Sequence, residues 1–170
     1  MNLLLLLQLQ MNLRKIHNPK GFRSLSQGKV IVLAGGFTDG EIVKILYDGQ
    51  ISNMVELYSS QEEADTRLIL HAIYSSQNHS RVIIRCDDTD VMVLLLYYYS
   101  EGKLSDEVYM HAGHSGKLVT YERYVPIHTI AEKLTKDVCS ILPSVHALSG
   151  CDINSSLYRI GKRIVYNAII

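Results

Sequence analysis

Apolar and polar positions along this chain switch between a two-residue and a helical period. Lys29-Val30-Ile31-Val32-Leu33-Ala34 is a short β-rich run that Gly35-Gly36 stops. Residues 42–47 and 52–58 are weaker strand candidates around the turn pair Asp48-Gly49, so 30–58 reads as a hairpin or meander. Over 61–75 the spacing predicts a helix, with Ala64, Leu68, Ala72 and, less cleanly, Leu70 and Ile73 facing inward. Arg81-Val82-Ile83-Ile84-Arg85-Cys86 is a strand whose continuous apolar centre predicts a sheet covered on both faces. A very apolar helix then runs from Asp87–Asp90 to about Tyr99.

Further along, Val108-Tyr109-Met110-His111 predicts a strand, with another over 117–121 after the His114-Ser115-Gly116 turn. Pro126 is placed as the first residue of a helix over 127–134. A helix over 136–148 contains Pro143, which should bend or divide it, and 162–170 reads as one more helix. Alternation of helix and strand over 61–112 predicts an α/β fold: a mostly parallel sheet with helices on both faces. The opening leucines lack a basic leader, are interrupted by Gln8 and Gln10, and are too few to span a bilayer. They predict a helix over 2–16 ended by Asn18-Pro19-Lys20-Gly21, with a secretion signal as the alternative. The expected organisation is an N-terminal helix and linker over 1–28, an α/β domain over 29–150 and a further helical element over 151–170.

Composition is consistent with one α/β domain. The 170 residues are 47% hydrophobic and 20% charged, an ordinary globular balance with room for one domain. Seventeen basic and seventeen acidic side chains cancel, which disfavours a large electrostatic nucleic-acid surface but permits a local one. Cys86, Cys139 and Cys151 form no CxxC pair and no disulfide framework. The expectation is an intracellular protein of nucleus or cytoplasm, not secreted, with no membrane partner and no small-molecule cofactor.

The acidic side chains are not evenly spread. Glu62-Glu63-Ala64-Asp65 opens one predicted helix, Asp87-Asp88-Thr89-Asp90 follows a predicted strand, and Gly150-Cys151-Asp152 precedes Arg159-Ile160-Gly161-Lys162-Arg163. Carboxylates that converge repel one another unless a cation binds them, and hard divalent ions favour such oxygens. In open α/β sheets, sites form beyond the carboxyl ends of strands, where Asp88 and Asp90 fall. Their spacing lets both face one site only if Asp88 lies in the turn and Asp90 in the first helical residues. The competing explanation is local: acidic residues favour helix N-termini through capping and the helix dipole.

In order and spacing, Glu63-Ala64-Asp65, Asp88-Thr89-Asp90, and Gly150-Cys151-Asp152 with Ile160-Gly161-Lys162-Arg163 resemble the internal half of the flap-endonuclease and XPG-type nucleases, members of the PIN-like superfamily. Glu62–Arg67, Asp88–Val91 and His146-Ala147-Leu148-Ser149-Gly150-Cys151-Asp152 are closer still to a group of uncharacterised, often transposon-associated invertebrate proteins. The resemblance covers residues 29–166. It implies a three-layer PIN-like fold and Mg²⁺- or Mn²⁺-dependent hydrolysis of structured DNA, with two ions where the site is complete. It implies Glu63, Asp65, Asp88, Asp90 and Asp152 as metal ligands, directly or through water, with Asp88, Asp90 and Asp152 catalytic. Gly161, Lys162 and Arg163 would begin a helix-turn-helix element that grips DNA. The family also draws aspartates from an N-terminal half; the first 60 residues here offer Asp39, Glu41, Asp48 and Glu56, none in a matching context. The resemblance therefore implies a partial or degenerate member, with a non-catalytic PIN-like binding module or transposon-derived relic as the alternative.

Other chemistry is weaker. His111 and His114 on a strand end would not converge on a metal, and His71, His128 and His146 sit in apolar helical contexts that predict packing roles. Cys151 has no histidine spaced to activate it. Tyr97-Tyr98-Tyr99 reads as packing rather than base stacking, and Gly35-Gly36 as a turn without a phosphate-loop lysine.

Overall fold

The structure, a computed structural model, describes residues 2–5, 29–35, 37, 39–60, 64–115, 120–150, 163 and 167. Tertiary contacts divide the chain into two compact units, Met1–Arg67 and Leu68–Ile170. The α/β class holds, and the sheets are mixed. Parallel pairing joins β1 (Asn2–Leu5) to β2 (Lys29–Ala34) and β5 (Arg81–Arg85) to β6 (Glu107–Ser115). The remaining described pairings are antiparallel, so the mostly parallel sheet expected from the alternation is found as two mixed sheets.

In the first unit the strand order is β1-β2-β3-β4, with β3 at Val43–Tyr47 and β4 at Gln50–Asn53. The predicted helix over 2–16 is corrected where it is described: Asn2–Leu5 is a strand in register with Lys29–Val32. Leucine is a good helix former, but propensity is a weak prior, and here tertiary pairing on β2 overrides it. The hairpin turn behaves as read. Asp48 and Gly49 both have positive φ, 46° and 75°, the twist that a two-residue turn needs. β4 is shorter than the 52–58 expected, because Val55–Leu57 forms a 3-10 turn that drops Leu57 into the core. Val30, Ile31, Val32, Val43, Leu46 and Met54 complete that core. At the unit's end the Arg67 guanidinium donates to the Gly40 and Ser59 carbonyls, both at 2.7 Å.

Helix α1 (Ala64–Ser76) begins in the last residues of the first unit and continues through the second. Its buried positions are Ile69, His71, Ala72 and Ser75, while Ala64, expected inward, is exposed. Strand β5 leads to α2 (Thr89–Ser100), then β6, β7 (Thr120–Pro126), α3 (Ile127–Lys133) and α4 (Lys136–Ser149). One core joins Ile69 and Ala72 of α1 to Val82 and Ile84 of β5, Val91, Leu95 and Leu96 of α2, Ile127 of α3 and Cys139 of α4.

Only one face of β5 enters this core. Val82 and Ile84 are buried, but Ile83 between them is 50% exposed, so the apolar run does not mark a sheet covered on both faces. Helix α2 is central, as its composition predicts, with Val91 and Leu95 fully buried. It stops at Gly102, whose φ of 68° suits glycine. There the Lys103 and Gly102 N–H groups donate back to the Tyr98 and Tyr99 carbonyls, satisfying orphan acceptors. Pro126 caps α3 from outside rather than serving as its first residue. Pro143 lies within α4, which the structure describes as one helix rather than two. The Val108 backbone, one position beyond the β6–β7 ladder, is met by His128 Nδ1, 2.9 Å from the carbonyl and 3.2 Å from the N–H.

No helix among the described residues is long and apolar enough to cross a membrane. Of the element expected over 151–170, Arg163 and Asn167 are described, each helical and exposed.

Candidate metal centre

The site starts where β5 ends. Cys86 N–H still donates to the His111 carbonyl at 3.1 Å, so the parallel ladder holds the chain up to the first aspartate. Asp87 then crosses to β6, where its Oδ1 accepts the Gly113 N–H at 2.6 Å. Asp88 keeps extended backbone angles and caps α2, its Oδ1 accepting the Asp90 N–H at 2.9 Å. Asp90, one residue beyond Thr89, is therefore in the first turn. This meets the geometric condition under which Asp88 and Asp90 share a site.

Asp65, in the first turn of α1, joins them. One ligand oxygen from each of Asp65, Asp88 and Asp90 lies within 4.8 Å of the others. At that separation two carboxylates repel by about 1 kcal/mol in water and about 3 kcal/mol at an effective dielectric of 20. A helix N-terminus offsets about 0.3–1 kcal/mol per charge, so capping accounts for the positions individually and leaves much of the mutual repulsion. The donor set is three carboxylates, which suits Mg²⁺, Mn²⁺ or Ca²⁺ and not a thiolate- or imidazole-seeking ion. Two oxygens bound directly to one Mg²⁺ stand at most about 4.2 Å apart, while Ca²⁺ spans about 5 Å. With its oxygens within 4.8 Å of one another, the group could hold one such ion.

A fourth residue enters that the sequence reading assigned to packing. His146 of α4 places Nε2 at 2.6 Å from Asp90 Oδ1, with the two side chains 12% and 25% exposed. Nothing in the spacing announces this pair, which is separated by 56 positions. The only available signal was a polar ring inside the otherwise apolar turn Val145–Leu148. His71 and His128 do occupy packing positions, the first buried and the second set edge-on to the Tyr109 ring at 4.9 Å. His111 is stacked on Tyr124 at 4.4 Å, with Nε2 3.5 Å from a Glu122 carboxylate oxygen.

Of the other expected ligands and contacts, Glu63, Asp152, Gly161 and Lys162 lie outside the described residues; Arg163 is described only as helical and exposed. The chain matches no protein-family model, and no curated protein and no solved structure is significantly similar to it.

Proposed function

We propose that this chain is a partial or degenerate member of the flap-endonuclease-like PIN nucleases, built around a divalent-cation site with Asp65, Asp88 and Asp90 as ligands. The observation that carries this reading is the convergence of those three carboxylates from the starts of two helices. When bound, Mg²⁺ or Mn²⁺ would supply an acidified water and a Lewis acid for a phosphodiester. The protein's part is to hold and orient. Asp88 is fixed by the α2 cap, and Asp90 by His146, each retaining one oxygen beyond its structural hydrogen bond. Glu63 and Asp152 extend the ligand set in this reading, the latter completing a catalytic group with Asp88 and Asp90, and a second ion would need them. Gly161, Lys162 and Arg163 would meet the DNA backbone through close approach and positive charge.

The test is cleavage of a branched, single-stranded-flap DNA in millimolar Mg²⁺ or Mn²⁺. Activity abolished by chelation and by Asp88→Asn and Asp90→Asn supports the nuclease reading. A second reading is favoured by the roles Asp88 and Asp90 already play within the fold, as a helix cap and a histidine partner. It makes the chain a non-catalytic PIN-like module or transposon-derived relic. DNA retention without cleavage at any metal concentration would select it.

A further inference from the structure

A cavity of about 340 Å³ opens beside the carboxylates, past the carboxyl end of β5 and against Met110, Ala112 and Gly113 of the neighbouring β6. Met92, Met110 and Val125 give it an apolar lining, and Asp87, Asp88 and Arg123 bring charge to it. Its volume is at the small end of the roughly 300–1,000 Å³ of small-molecule sites, room for one nucleotide and not for a duplex. Asp88 belongs both to this cavity and to the three-carboxylate group, so an occupant would lie directly beside that group.

The polar groups restrict the occupant. The Arg123 guanidinium forms no ion pair among the described residues, although two aspartates share its cavity. It therefore offers a forked donor to an anion. Asp87 is held by Gly113 through one oxygen, which leaves the other to accept an amino or ring N–H. Two thioethers suit a flat, polarisable surface, since methionine sulfur packs well against aromatic rings. An anion, a donor edge and a planar ring occur together in a nucleotide.

We propose that this cavity is a mononucleotide subsite, taking one unit of a DNA strand with its phosphate at Arg123 and its base against Met92 and Met110. The choice of a DNA unit rests on the nuclease reading; the chemistry of the pocket does not. It would set a single unpaired nucleotide next to the carboxylates.

The test is methyl NMR of the full chain carrying ¹³C-methyl methionine, with Met92→Leu and Met110→Leu identifying the two signals. The chain is titrated with a deoxynucleoside 5′-monophosphate in chelator and again with Mg²⁺. The deoxynucleoside without phosphate, and inorganic phosphate alone, serve as separate probes. Saturable shifts of both methyls at millimolar nucleotide are expected even in chelator. Arg123→Gln should weaken nucleotide binding about tenfold, one charge-assisted contact's worth, and leave the deoxynucleoside's affinity unchanged. No shift with nucleotide, equal affinity in Arg123→Gln, or phosphate alone reproducing both shifts would each overturn the subsite. Asp90 does not line the cavity, so Asp90→Asn separates the two claims. Nucleotide binding that persists in a parent with no metal response keeps the subsite and removes the metal centre. A metal response without nucleotide binding does the reverse.

Discussion

Each aspartate at the end of β5 does something different, and the differences set what single substitutions should do. Asp87 bonds β6, Asp88 caps α2, and Asp90 is paired with a mostly buried histidine. His146→Ala removes the partner at the part-exposed Asp90 Oδ1 and should cost about 0.5–1.5 kcal/mol, the usual net worth of one hydrogen bond. Urea unfolding measures it, and an unchanged midpoint would contradict the pairing. His146→Gln keeps a donor and should recover part of the loss. The acidic positions were legible because their types and order are unusual for a core. His146 was not, since a contact between α2 and α4 leaves no local periodicity to read.

Helix and strand identities were largely legible because turns and caps announce them. Asp48-Gly49 and the Asp88 cap behave as their chemistry requires. Two of the misreadings share a cause. The leucines at 2–5 and the apolar run Val82-Ile83-Ile84 are locally ambiguous, and pairing or one-sided cover decides them. Capping gives a direct check on the second unit. Thr135 Oγ1 accepts the Val138 N–H at 3.3 Å at the start of α4, which carries both Cys139 of the core and His146. Thr135→Ala should destabilise by about 0.5–2 kcal/mol. In a protein of this size that is a fall in melting temperature of roughly 2–4 °C per kcal/mol. A melting temperature equal to the parent's would mean that α4 does not depend on its cap.

Across the whole molecule, stability should fall in alkali. Burial pushes the Cys139 thiol above its ordinary range, and burial with the nearby Glu132 carboxylate does the same to Tyr99. A group raised in the folded state contributes fully below its unfolded value, and that contribution is lost as the pH rises toward its folded value. For Cys139 the loss begins near pH ~8.5, where the unfolded thiol ionises. Melting curves of the parent and Cys139→Ala between neutral and alkaline pH should converge as the parent loses this advantage; parallel curves would contradict it. At the acid end, the hydrogen bond from Arg81 holds the Glu107 carboxyl below its usual range. Its stabilisation is present above the ordinary carboxylate range and is lost as the pH falls through the lowered value. The pair is exposed on the surface, so salt should weaken it.

Thermal unfolding with and without metal reads out whether Asp65, Asp88 and Asp90 together hold one divalent cation. With Mn²⁺ or Mg²⁺ at a hundred times its dissociation constant, binding to the folded state alone adds about 2.7 kcal/mol. That should raise the parent's melting temperature by roughly 5–10 °C at the same per-kcal sensitivity. Asp90→Asn, nearly isosteric, should show no such rise. A parent that does not respond, or a variant that responds equally, would mean that these carboxylates are helix-terminus groups and not a metal centre.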